Sequence, residues 1–188
     1  MSAPDIVAQT GLSQSSVRDA LIALEAANVL DALGSSRARL YGLSQRHPLS
    51  PALRQLFEQE AQRAEGLLDA LRDIGRRHAA HVAAIYLFGS MARGSDRFGS
   101  DMDLAIVLRD GADCRLADII RAELHDPQMR FAVTISPVIV GLRDIAQAAA
   151  AGERWWSELV RDAVPLAGPR PEALLRSIPA RNPASLPA

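Results

Sequence analysis

Residues 87–104 read Leu87-Phe88-Gly89-Ser90-Met91-Ala92-Arg93-Gly94-Ser95-Asp96-Arg97-Phe98-Gly99-Ser100-Asp101-Met102-Asp103-Leu104. The apolar run Val82 to Phe88 predicts a strand that stops at Gly89-Ser90. A polar, glycine-punctuated loop follows, and Ser100-Asp101-Met102-Asp103 opens a second apolar strand, Leu104 to Leu108. Positions i and i+2 of a strand face one side. Met102 and Leu104 are therefore expected in the core, and Asp101 and Asp103 together in a cleft. Carboxylates held that close repel each other unless a cation lies between them. A hard divalent ion with oxygen ligands, Mg²⁺, relieves the repulsion and commonly completes its shell with phosphates. The glycine-serine turn suits such a ligand. Gly89 lets a phosphate approach the backbone. Ser90 is expected to start a short helix, Ser90 to Arg93, whose free N–H groups favour an anion. Arg93 adds charge for a triphosphate tail. The plain alternative is a β-hairpin with a polar loop.

Together, Gly89-Ser90, Arg93-Gly94 and Ser100-Asp101-Met102-Asp103-Leu104 resemble the signature of the polymerase-β-like nucleotidyltransferase superfamily, most of all its small bacterial "minimal" branch. The resemblance implies that Asp101 and Asp103 are the catalytic, metal-binding pair. It implies that Gly89, Ser90, Arg93 and Ser100 bind the nucleotide, with Mg²⁺ present as two ions alongside the nucleoside triphosphate. The reaction implied is transfer of a nucleoside monophosphate to a hydroxyl on a protein, RNA or small molecule. Active members usually carry a third acid on the next strand. Here that stretch, Arg130 to Val140, holds none, and Thr134 or Ser136 is the stand-in. A neutral hydroxyl ligates Mg²⁺ weakly and is a poor base near neutral pH.

Composition narrows the field. The chain has 188 residues, 48% of them hydrophobic, enough for one domain or two small ones with a core. Its formal net charge of −1 predicts no strong general attraction to nucleic acid. All 21 basic residues are arginine, which excludes a lysine nucleophile or a Walker-type phosphate lysine. The single cysteine, Cys114, fits a reducing cytoplasm and reads as incidental. No apolar run is long enough for a membrane span, and no signal peptide is visible.

Residues 1–46 read as a small unit of their own. Asp5 to Gln9 predicts a short helix, Thr10-Gly11-Leu12 a turn, and Ser13 the N-cap of a helix from Gln14 to Ala27. Val17, Leu21 and Leu24 share one face of that helix. Asn28 to Ala32 and Ala38 to Gly42 read as two strands around the tip Gly34-Ser35-Ser36-Arg37. This order resembles a winged helix-turn-helix whose usual first helix is missing. The resemblance implies DNA as a partner: Gln14, Ser15 and Arg18 would face the major groove, and Arg37 and Arg39 on the wing would touch phosphates. Against it, residues 1–50 carry arginines 18, 37, 39 and 46 beside acids 5, 19, 25 and 31, no basic footprint.

His47-Pro48-Leu49 reads as a hinge, with Ser50 capping a long helix from Pro51 to about His78. Its apolar residues, Leu53 to Ile74, recur at helical spacing, a stripe that suits a linking core helix (residues 47–79) or a homodimer seam. Residues 80–168 are read as the nucleotidyltransferase domain. After the second strand it should hold a helix (Arg115 to Leu124), a third strand (Met129 to Val140) and a helix (Leu142 to Ala151). A helix from Glu153 to Asp162 and a strand from Val164 to Ala167 complete it. Trp155 and Trp156, being adjacent, cannot share a helix face; both read as core, with lining of the nucleotide cleft or a partner interface as the alternative for one of them. Residues 169–188, with five prolines, read as a partly disordered extension. The expected fold class is α+β: a winged helix, a linking helix and a nucleotidyltransferase fold with a mixed sheet flanked by helices. Three functions compete. One is a transferase; one is a catalytically weak or inactive transcriptional regulator; one is an antitoxin-like protein that binds a toxin-like or other protein partner.

Overall fold

The computed structural model describes residues 1–35, 38–95, 99–113 and 115–178. Arg37, Cys114 and the stretch from Pro179 onward lie outside the described residues. The chain divides into two compact units, Met1–Gln62 and a second that begins at Arg63.

The first unit opens with α1, Ala3–Thr10. It starts earlier than the apolar pattern predicts because Ser2 and Asp5 form a reciprocal cap, with Ser2 Oγ donating to Asp5 Oδ2 at 2.6 Å. Gly11, left-handed at φ 65°, ends it. Ser13 caps α2, Gln14–Ala26, as its position predicts, accepting from the Ser16 N–H at 3.1 Å. Val17 and Leu21 are buried, whereas Leu24 of the expected stripe is 41% exposed. β1, Leu30–Ser35, and β2, Ala38–Leu43, pair antiparallel and start or end later than expected. Ser2 bridges to Leu40, and the Met1 ammonium donates to the Tyr41 carbonyl at 2.9 Å. The next helix, α3, is Ser50–Arg77. Ser50 is its first residue and not its cap: the hydroxyl is buried and donates to the Ser44 carbonyl.

The second unit is built on a four-stranded sheet in the order β5-β4-β3-β6. Its strands are β3, Val82–Phe88, β4, Met102–Leu108, β5, Ile135–Gly141, and β6, Val164–Ala167. β3 pairs antiparallel with β4 and β6, and β4 runs parallel to β5. β4 begins two residues before the apolar run because the Met102 N–H is tied to the Thr134 carbonyl at 2.8 Å. Alternation along the strands supplies two cores. Val82, Ile85, Leu87, Met102, Leu104 and Ile106 face one cluster, with Leu67, Leu71 and Ile74 of α3. Ala84, Tyr86, Ala105 and Val107 face the other. Gly75 lets α3 lie close on the sheet: a Cβ there would stand 2.8 Å from Ala167 Cβ and 3.3 Å from Ile85 Cδ1.

The stretch between β4 and β5 departs from expectation. It holds two short helices, α5, Leu116–Glu123, and α6, His125–Phe131, so the third strand starts at Ile135 and not at Met129. Pro127 falls in the first turn of α6, where its missing N–H leaves no bond unmade. Phe131 is buried in the first cluster, and Ala132, left-handed at φ 50°, ends the helix. Beyond β5 come α7, Leu142–Ala151, and α8, Arg154–Asp162. Trp156 is buried in the second cluster, while Trp155 is half-buried and donates its indole N–H to Glu153 at 2.6 Å. The extension carries structure that its prolines conceal: α9, Pro171–Ser177, starts on a proline and packs Leu174 into the second cluster. Both edge strands of this sheet carry a proline, Pro137 in β5 and Pro165 in β6. No helix among the described residues is long and apolar enough to cross a membrane.

Candidate functional site

β3 runs straight into α4, a single turn from Gly89 to Ala92, which begins one residue before the expected Ser90 start. Gly89 adopts φ 74°, a left-handed geometry that ordinary residues resist. A Cβ on Gly89 would land on Oδ2 of Asp103. The glycine is therefore what lets the turn and the carboxylate share one place.

Asp103 pairs in register with Phe88 on one side and Ser136 on the other. Like Ala105 and Val107 it faces away from the core that takes Met102 and Leu104, as the two-residue alternation predicts. Asp103 is half-buried, and Asp101, just before the strand, is exposed. Burial pushes the Asp103 carboxyl above its usual range, the nearby Asp101 charge adds to that, and Arg93 pulls against both. The Asp101 charge thus disfavours the ionised form of Asp103. Of the two hydroxyl stand-ins, the structure selects Ser136: its Oγ donates to Asp101 Oδ2 at 3.2 Å, while Thr134 contributes its backbone carbonyl to Met102. Two carboxylates and a hydroxyl at one strand end are an all-oxygen donor set, which fits a hard divalent cation.

A cleft of about 530 Å³ opens over this point, within the range of small-molecule sites (roughly 300–1,000 Å³). Phe88, Gly89, Ser90, Arg93 and Asp103 line it together with Arg154, Glu158 and Arg161 of α8. Four predicted residues therefore line one cleft, while Asp101 and the half-buried Ser100 do not line it. The α8 residues were not anticipated. Their signal was present, since positions 154, 158 and 161 recur at i, i+4 and i+7 on one helix face. Asp162 accepts from Arg161 through Nε at 2.7 Å and Nη2 at 2.8 Å, and from Arg93 Nη1 at 3.0 Å. Those two guanidinium groups, Arg161 foremost, hold its pKa down to about 2 despite a smaller opposing effect of burial.

In the first unit, Gln14, Ser15 and Arg18 are exposed on α2. Gln14 and Arg18 line a cavity of about 360 Å³ beside Val7 and Ala8 of α1, and Ser15 Oγ lies 2.9 Å from Ser13 Oγ. Arg39 pairs with Glu25 at 2.5 Å and lies 5.8 Å over the Tyr41 ring.

Residues 70–138 match the family described as Polymerase beta, Nucleotidyltransferase. The matched stretch contains the glycine-serine turn, both aspartates and Ser136, and its mixed sheet with helices is consistent with a nucleotidyltransferase fold. Among solved structures, the chain is similar to one titled as a toxin-antitoxin with AMP-PNP, at 22% identity and TM-score 0.39, covering 58% of this chain and 81% of that one. It is also similar to a mutant of the toxin-antitoxin MntA-HpeT, at 20% identity and TM-score 0.38, covering 58% and 80%. A third similar structure, of a protein from Sulfolobus solfataricus, has 17% identity and TM-score 0.31, covering 56% and 83%. No curated protein matches the chain.

Proposed function

We propose that the second unit binds a magnesium-bound nucleoside triphosphate and transfers its nucleoside monophosphate to a hydroxyl of a protein, RNA or small molecule. The observation that carries this reading is the fit of Gly89 against Asp103, which packs the Gly89-Ser90 turn on a carboxylate that has a second, Asp101, near it. Asp101 and Asp103 would hold the metal, with the Ser136 hydroxyl fixing the orientation of Asp101. Bound there, Mg²⁺ would stabilise charge on the α-phosphate and on the departing pyrophosphate. Gly89 and Ser90 would present the first N–H groups of α4 to the phosphates, and Arg93 would add a guanidinium. The acceptor oxygen forms its bond to the α-phosphorus as the bond to pyrophosphate breaks, and the acceptor proton leaves to water. Incubation with each NTP labelled at the α-phosphate tests this. Label carried by the protein, a partner or RNA, and lost in Asp101→Ala, supports the reading; no transfer from any NTP refutes it.

A second reading rests on Ser136. The residue beside Asp103 in the parallel register is a hydroxyl, so β5 supplies no carboxylate there to take a proton. On this reading the site binds nucleotide without turnover and serves a regulator, with the first unit acting as a winged helix on DNA. The Ser13-capped α2 exposing Gln14, Ser15 and Arg18 supports that module, while Glu25 offsets the charge of one wing cation, Arg39. A gel shift on the protein's own promoter at two salt concentrations decides it, because phosphate contacts weaken steeply with salt.

Ser136→Asp separates the two readings. A third carboxylate beside Asp101 and Asp103 is expected to lower the melting temperature in chelator and to restore it with Mg²⁺. On the transferase reading, labelled transfer should rise by about a hundredfold, the lower end of general-base effects.

A further inference from the structure

The cleft divides its charge. On the β4 side Asp103 lines it, with Asp101 two residues away outside the lining, and the α4–α8 side carries Arg93, Arg154 and Arg161 against Glu158, with Asp162 holding Arg93 and Arg161 from outside the lining. Arg154, at the first turn of α8, and Arg161, in its last, stand on the face that lines the cleft. Both are well exposed, with side chains 92% and 65% accessible. Arg154 uses Nε on Glu158, and Arg161 uses Nε and Nη2 on Asp162. Each guanidinium has five N–H donors in a planar fork, so donors remain on Arg154 and on Arg161 Nη1. Asp162, only 10% exposed, draws Arg93 and Arg161 to one carboxylate and so sets two cations side by side. Cations held in a pair by a shared carboxylate are pre-organised for a ligand of high negative charge.

Resting on the nucleotide-binding reading above, we propose that Arg154 and Arg161 of α8 bind the β- and γ-phosphates, so that this wall selects triphosphates over monophosphates. The acidic wall takes the cation and the basic wall takes the tail. A monophosphate leaves the α8 side empty. The same wall should then bind inorganic tripolyphosphate, which has no base or sugar.

Calorimetry on the full chain with Mg²⁺ tests this, using ATP, AMP and tripolyphosphate as separate probes. The variants are the double substitution Arg154→Gln/Arg161→Gln and, as a reference, Asp103→Asn. The double variant should bind ATP and tripolyphosphate at least tenfold more weakly than the unaltered protein and AMP within twofold of it. Equal ATP affinity in the double variant, with ATP binding lost in Asp103→Asn, overturns the assignment of α8 and leaves the proposed function standing. An equal loss for AMP and ATP overturns it too, because selection by the tail would be absent. If the unaltered protein binds no nucleotide, the proposed function falls and this inference falls with it.

Discussion

Asp103→Asn should abolish magnesium-dependent nucleotide binding while making the metal-free protein more stable. The first half follows from chemistry: the amide keeps the shape of the side chain but removes the charge that a hard cation requires. Affinity for Mg-ATP is expected to fall by about a hundredfold or more, equivalent to about 2.7 kcal/mol. The second half follows from the Asp103 pKa, raised by burial and by Asp101. A carboxyl whose pKa is raised in the folded state favours folding most when protonated. That advantage is complete below the unfolded pKa of about 3.9 and is lost as pH rises through the folded value. At neutral pH the ionised Asp103 therefore burdens the fold, and asparagine relieves it. The melting temperature in chelator should be higher than the parent's at pH 7, with the difference shrinking toward pH 4. Thermal unfolding with and without Mg²⁺, beside calorimetry with Mg-ATP, measures both. A variant that binds Mg-ATP as well as the parent would remove the site from Asp103.

Gly89→Ala is expected to be nearly as damaging, for a reason of space and not of charge. The residue sits at φ 74°, where an L-residue costs about 1–2 kcal/mol, and its new methyl would occupy the place of Asp103 Oδ2. The carboxylate must swing away or the turn must flatten, and either change separates the phosphate-binding turn from the metal ligands. A loss of Mg-ATP affinity of about a hundredfold is expected, with a stability cost near the lower end of that range once Asp103 has moved. Gly94→Ala is the control. Gly94 also has a positive φ, 62°, but a Cβ there meets nothing within 4 Å. It should show the backbone cost and keep its affinity. Equal losses of affinity in the two variants would mean that strain alone, and not the contact with Asp103, is responsible.

The core of this site could be read from the chain because strand alternation is a strict rule. Once Val82 to Phe88 and Leu104 to Leu108 are strands, Met102 and Leu104 must go inward and Asp103 must not. α7 and β6 fell on their expected residues because glycines at 141, 152 and 168 bracket them. Residues 125–134 could not be read that way. Phe131, Val133 and Ile135 alternate as a strand would, yet Pro127 and the buried contact of Phe131 with Gly66 of α3 favour a helix, and that contact is long-range. The arginines of α8 were hidden for a related reason. Nothing local tells a solvated face from a cleft wall; only the approach of α8 to α4 makes Arg161 part of the site. Ser2 shows the opposite case, in which the start of α1 is set by a strong local signal, the cap with Asp5, and not by apolar spacing.

The prolines on β5 and β6 have a consequence for how this molecule meets others. A proline ring offers no N–H to an incoming chain, and it stands at each open margin of the sheet. Neither margin can template another strand along its whole length. Prolines at both margins disfavour growth of the sheet edge to edge into fibrils and leave the helices and loops of this unit as the better surfaces for a recruited protein.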